Sequence, residues 1–286
     1  MEPIKKIKNY GLELEVNYQK IARDLTIHEF SWDIERALEF ALFRTYAVPS
    51  ISGLLTRTGE FTNRPQKRYD DTELILSEIL ENGFESERGR VALALMNDMH
   101  GRFRITNDDM LYVLSTFVFE PIRWINKFGR RPMTENETLA WLEYHSELGR
   151  RMGIVNIPTS LDEFESFNRN FEEARFSYSK SNFKIGSTTR DLFLSFYLPK
   201  WLIPAGRPVA HAFMDEPLLR AMGFPIPPEW LKRITIMVMR FRRTILRWLP
   251  PRRRPRRLTE VQRATYPEGY KIEELGTLKC SRPQRR

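Results

Sequence analysis

The histidine at position 100, in the run MNDMHGRFRITNDD, stands where an ionisable ring needs a reason. On a helix, Ala92, Leu93 and Met96 would share its stripe, because residues four, seven and eight positions back stack on one face. An imidazole there is either a core histidine bonded to the backbone or a neutral ligand. The ligand reading suits a haem iron, with the second ring nitrogen oriented by an acceptor behind it.

The chain has 4 His residues (His28, His100, His145 and His211) and 1 Cys, Cys280. That inventory offers few ligands for a protein-only catalytic zinc site, and no H-E-x-x-H spacing occurs. His145, between Glu143 and Ser146, is expected on a polar helix face and is the next candidate. A nucleophile elbow, GxSxG, is absent, and glycine is too sparse for a phosphate-cradling loop.

Helices are the elements that must position these groups. Asp70 and Asp71 precede TELILSEIL, which stops at Asn82-Gly83, and Thr106 with Asp109 opens DMLYVLSTFVF, which meets Pro121. Thr134 with Glu137 and Ser160 with Glu163 have the capping-box spacing, a hydroxyl for the N3 amide and a carboxylate for the cap N–H. Helical periodicity also covers Trp32 to Thr45, Ser86 to Met99, Thr189 to Tyr197 and Trp230 to Leu249, while alternating strand patterns are almost absent. The expected class is all-α. Residues 1–249 read as the main domain, and 250–286 as a Pro/Arg linker and a tail, with TYPEGYKIEELGTL docking back.

Across 286 residues the formal charge is +9, but residues 228–257 hold 11 Lys and Arg against one Glu, so the remainder is close to neutral. With one cysteine there is no intrachain disulfide, and no apolar leader or membrane-length run appears, so a cytoplasmic protein is expected. In LKRITIMVMRFRRTILRWLPPRRRPRR, residues Ile234, Met237, Val238, Phe241, Ile245, Trp248 and Leu249 fall near one face, and Arg240, Arg243 and Arg247 largely on another. The spacing predicts a core helix with a solvated basic rim. The alternative is peripheral contact through 230–257 with an anionic membrane, where a lipid-borne substrate would be found. Nucleic-acid binding is not expected, since no recognisable module accompanies the arginines.

The segments RTYAVPSISGLLTRTGEF, RPQKRYDDTELILSEILENGF and RVALALMNDMHGRFRITNDDMLYVLSTFVFEPIRWINKFGRRP occur in an order that resembles the catalytic domain of MpaB-type oxygenases and bacterial rubber oxygenases (latex clearing proteins). PIPPEW and YPEGYKIEELGT extend the resemblance, which runs from about residue 43 to 277 and is nearer to the MpaB side. It implies a globin-like helical bundle enclosing a b-type haem, with O2 as co-substrate for oxidative cleavage of a carbon-carbon double bond in an isoprenoid or other unsaturated apolar substrate. His100 is then the axial ligand. Arg68 and Thr72, the R-x-x-x-T pair, are cofactor-pocket and catalytic residues.

Two departures accompany it. Rubber oxygenases can carry a Lys immediately before that Thr, where it caps the distal iron position, and this chain has Asp71. Rubber-cleaving members also use a Glu upstream of the Arg as a base; the matching distance falls near Ser52, and Glu60, in TGEF, is the nearest carboxylate. A non-catalytic haem- or lipid-binding helical protein, and a membrane-surface scaffold built on the basic helix, are the alternatives of other classes.

Overall fold

Side-chain caps open most of the long helices. In the computed structural model, which describes residues 5–9, 12–250, 252 and 254–276, a two-stranded antiparallel pair, β1 (Lys5–Asn9) and β2 (Leu12–Val16), precedes thirteen α-helices. These are α1 (Tyr18–Asp24), α2 (Ser31–Tyr46), α3 (Pro49–Thr58), α4 (Glu60–Asn63), α5 (Pro65–Asn82), α6 (Glu87–Gly101) and α7 (Asn107–Phe128). They continue as α8 (Glu135–Arg151), α9 (Leu161–Arg175), α10 (Lys180–Ser195), α11 (Ile203–His211), α12 (Glu216–Met222) and α13 (Glu229–Trp248). The all-α class therefore holds. Cys280 and the terminal SRPQRR lie outside the described residues, as do Pro251 and Arg253 of the linker.

The cap chemistry is met in detail. Ser86, Thr106, Thr134, Ser160 and Ser179 each accept from the amide three residues on, and Thr134 with Glu137 completes a reciprocal capping box. Two boundaries differ from expectation. Helix α5 begins at Pro65 rather than after Asp71, because proline at the first helical position has φ already set and no amide to satisfy. Helix α10 begins at Lys180 rather than near Thr189, on the Ser179 cap.

Pro121 does not end α7, which runs through it to Phe128. A proline lacks the N–H that would bond the carbonyl four residues back, here that of Phe117. The Trp141 indole of α8 donates to that Phe117 oxygen at 3.2 Å, so a side chain from the neighbouring helix replaces the missing backbone donor.

Helix α2 lies along α7, α1 along α8, α5 along α6, and α10 along α3 and α11. The largest apolar cluster joins Leu74 and Ile79 of α5, Val118, Phe119 and Ile125 of α7, and Trp141 of α8. A second joins Phe43 and Tyr46 to Ile185, Leu218 and Met222. Residues 256–276 cross α5 and α6: the Leu258 amide donates to Glu81 at 2.7 Å, Thr265 to Asp70 at 2.5 Å, Tyr266 to Asp71 at 2.5 Å and Tyr270 to Glu78 at 2.6 Å.

Helix α13 departs most from expectation. Only Thr235 and Met239 are buried, and Ile234, Met237, Val238, Phe241, Ile245 and Trp248 are exposed. The apolar stripe faces outward because arginines hold the opposite face. Arg242 bonds Asp33 at 2.9 Å and lies 3.9 Å over the Trp32 ring. Arg243 donates to the carbonyls of Asn126 and Lys127 at 3.5 and 3.3 Å, groups that the C-terminus of α7 leaves without helical partners. Among the described residues no helix is long and apolar enough to cross a membrane.

Trp141→Phe is expected to destabilise the fold by about 1–3 kcal/mol, since the Phe117 carbonyl loses its donor. In a Pro121→Ala background the backbone amide returns, and the same substitution should cost less. Urea denaturation of the four proteins measures the coupling; equal costs in both backgrounds would show that the indole does not compensate for the proline.

Candidate functional site

His100 sits at the last turn of α6, and its Nδ1 lies 2.9 Å from the Met96 carbonyl oxygen. A carbonyl only accepts, so Nδ1 carries the hydrogen and Nε2 keeps its lone pair. Among the described residues no hydrogen bond engages Nε2. Burial lowers the ring's pKa from its ordinary value, and the positive charge of Arg68 lowers it further, outweighing the Met96 bond. The ring is thus neutral at pH 7, with a free lone pair and an acceptor fixing its other nitrogen.

Arg68 lies in the first turns of α5, which packs on α6. Its guanidinium donates to the Thr72 hydroxyl one turn on, and that hydroxyl donates to the Arg68 carbonyl at 2.7 Å. The guanidinium carbon also lies 5.6 Å from the centre of the Phe61 ring. Phe61 in turn meets Tyr46 edge-on at 5.5 Å. The fold therefore brings together a neutral imidazole, a cation held by a threonine, and an aromatic wall contributed by α2 and α4.

Glu60 is not part of this group. It pairs with Arg64 at 2.6 Å, one turn along the chain, and no interaction links it to His100, Arg68 or Thr72 among the described residues. Ser52, at the position where a base would fall, is fully enclosed. Its hydroxyl donates to Asn182 at 2.5 Å, and Asn182 binds the carbonyls of Ala47 and Ala221 at 3.1 and 2.9 Å. That is a joint between α3 and α10, with every polar atom employed. Asp71 accepts from Lys67 at 2.7 Å and from Tyr266 at 2.5 Å, so the residue standing in place of a capping lysine anchors the C-terminal segment.

His145 corrects the expectation of a polar-face residue. It is buried, its Nδ1 donates to the Trp141 carbonyl at 2.9 Å, and burial pulls its pKa down to about 4. The Trp141 ring lies 4.4 Å away. His211 is also buried, with its Nε2 accepting from Arg190 at 3.1 Å, which leaves that nitrogen no lone pair to offer. A small recess of about 60 Å³ beside Leu142 and Ile157 and an open groove of about 340 Å³ between Arg233 and Arg240 are not lined by His100. The case for His100 rests on its donor chemistry.

A second titratable cluster escaped the sequence reading. The Tyr69 hydroxyl lies 3.0 Å from Glu39 and 3.2 Å from Glu73, and with one hydrogen of its own it donates to one carboxyl and accepts from the other when that one is protonated. Arg36 lies 2.9 Å from Glu39, and Arg263 pairs with Glu73. Burial pushes the Glu39 carboxyl up to about 8, against the pull of Arg36. The available signal was Glu35 and Glu39 one turn apart on α2, with Arg36 between them.

Because Glu39 is protonated in the fold at pH values where an unfolded carboxyl is ionised, its contribution to stability is full below about 4.5 and is lost as pH rises through about 8. Glu39→Gln should flatten that part of the pH dependence, measured as the difference in urea midpoint between wild type and variant at a series of pH values. Parallel curves would exclude a shifted Glu39.

No family model matches the chain. Among curated proteins it is 29% identical over 252 residues to an ER-bound oxygenase mpaB' of Penicillium brevicompactum, covering 82% of this chain and 59% of that protein. It is 29% identical over 222 residues to an ER-bound oxygenase mpaB of Penicillium roqueforti (strain FM164), covering 71% and 74%. A second Penicillium brevicompactum protein, also an ER-bound oxygenase mpaB, is 28% identical over 242 residues, covering 82% and 57%. The match thus spans under two thirds of the length of the two Penicillium brevicompactum relatives. Along most of its own length, the chain is similar to MpaB-type oxygenases.

Proposed function

We propose that this protein is a haem-dependent oxygenase that uses O2 to cleave a carbon-carbon double bond in an isoprenoid or other unsaturated apolar substrate. The observation that carries the reading is the state of His100: neutral, with Nδ1–H held by the Met96 carbonyl and Nε2 without a hydrogen bond. Those are the properties an axial ligand needs. The similarity to proteins named as oxygenases supports the reaction type.

That donor, and Arg68, whose charge bears on the same imidazole, support the reading of a b-type haem held here. When bound, the haem supplies the redox chemistry that couples O2 to the alkene. His100 would hold the iron, and Arg68 would supply positive charge for the haem propionates. Thr72 fixes the guanidinium through its hydroxyl, so the cation is ordered in advance of binding. Apolar side chains such as Phe61 beside Arg68 would suit a hydrocarbon substrate. Both oxygen atoms would end as two carbonyl groups, one on each fragment, so the overall stoichiometry calls for no external reductant.

Absorption spectra of the haem-reconstituted protein, oxidised and reduced, test this. Wild type should bind stoichiometric haem with a Soret band that His100→Ala loses or shifts. Thr72→Val, which keeps the shape and removes the hydroxyl, should keep the band and weaken haem retention or O2-dependent formation of carbonyl products from a prenylated substrate. An unchanged spectrum in His100→Ala would remove the axial assignment; haem binding without O2-dependent product would leave a haem-binding protein in place of an oxygenase.

A further inference from the structure

Helix α13 presents a continuous apolar stripe to its surroundings. Ile234, Met237, Val238, Phe241, Ile245 and Trp248 share one helix face, and Phe241, Met237 and Trp248 are 65%, 61% and 87% exposed. Spread over fourteen residues of helix rise, the stripe is about 21 Å long. Scattered single apolar residues need no explanation, but a stripe of this length along one helix face marks a contact surface.

The orientation is built in. On the inner face Arg242 is locked to Asp33 and stacked on Trp32, and Arg243 caps the carbonyl end of α7. Arg247 donates through Nε to the Arg130 carbonyl at 3.2 Å, and Arg130 donates to the Leu249 carbonyl at 3.4 Å. Turning the stripe inward would break all of these bonds and leave the buried Asp33 carboxylate without its arginine. The stripe faces outward because the charged contacts of the opposite face hold it there.

Charge identifies what covers the stripe. Arg233, Arg240 and Arg247 follow one another at seven-residue spacing along one flank, and all three are exposed. Arg233 and Arg240 form no ion pair among the described residues, and with Ile236 and Met237 they line the groove of about 340 Å³. Arg252 and Arg254, just past the helix, are also exposed. An apolar stripe ending in Trp and edged by exposed arginines matches a surface that is hydrocarbon beneath and anionic at the boundary. A second copy of the chain would set the same arginine row against itself, and a nucleic acid would leave the stripe in water.

We propose that α13 is an in-plane lipid-binding helix that seats the protein on an anionic phospholipid bilayer. Its apolar stripe enters the boundary between headgroups and acyl chains, and the row from Arg233 to Arg247 binds lipid phosphate. This stands on α13 alone and is independent of haem binding.

The test is flotation of the full chain with phosphatidylcholine vesicles, alone or with about 30 mol% phosphatidylserine. Binding should favour the anionic vesicles and fall with added salt. Met237→Ser/Phe241→Ser/Trp248→Ser should weaken it by about tenfold or more, and Arg233→Gln/Arg240→Gln should reduce the preference for phosphatidylserine, an unchanged preference overturning the arginine row's part. These side chains are exposed, so both variants should keep wild-type circular dichroism and melting temperature. Wild-type binding by the serine variant would overturn insertion and leave only electrostatic adsorption. Absence of binding by wild type would overturn the proposal, as would a wild-type dimer that the serine variant converts to monomer, which would show a second copy covering the stripe.

Discussion

The constraint on which much of this molecule depends is the set of carboxylates buried along α5. Asp70, Asp71, Glu78 and Glu81 are all nearly inaccessible, and an ionised carboxylate taken out of water without partners costs several kcal/mol. The partners come largely from residues 258–270, through the Leu258 amide and the hydroxyls of Thr259, Thr265, Tyr266 and Tyr270. Lys67 and Arg88 add positive charge at Asp71 and Glu78. The same helix carries Arg68 and Thr72, so the segment that satisfies the acids also fixes the helix that presents the cation to His100.

His100 and His145 illustrate how environment separates two similar residues. Each donates from Nδ1 to the carbonyl four residues back on its own helix. His145 is enclosed by Trp141 and Tyr144, which makes it a packed core ring. His100 lies at the end of its helix and is only partly buried, with the charge of Arg68 bearing on it from α5. Identical local bonding therefore gives a structural group in one case and an available donor in the other. The difference is set by what the next helix supplies.

Helix α13 shows a polar interaction overriding hydrophobic patterning. Burying its stripe would have released water from six large side chains, yet Asp33, which the Trp124 indole also bonds, and the carbonyl end of α7 take their arginine donors from the opposite face. Arginine suits that task because its fork reaches several acceptors at once and stacks on aromatic rings. The outcome leaves an apolar surface in search of a partner.

From the sequence alone came the all-α class, the helix starts, the face on which His100 lies and the order of motifs shared with MpaB-type oxygenases. Caps and periodicity are decided within a turn or two of chain, so they are visible in a local window. The start of α5 was open to the same inspection, since Pro65 carried the signal, but two adjacent aspartates gave a competing cap. Tertiary structure decided the rest. Tyr266 binds Asp71 across a separation of 195 residues, and Arg242 binds Asp33 across 209; no local pattern encodes such pairs. Whether Glu60 or Ser52 joins His100, why Glu39 holds a proton, and which face of α13 meets the surroundings all depend on what another helix places opposite. Periodicity defines a helix's faces, and only packing against the other helices chooses which face is buried.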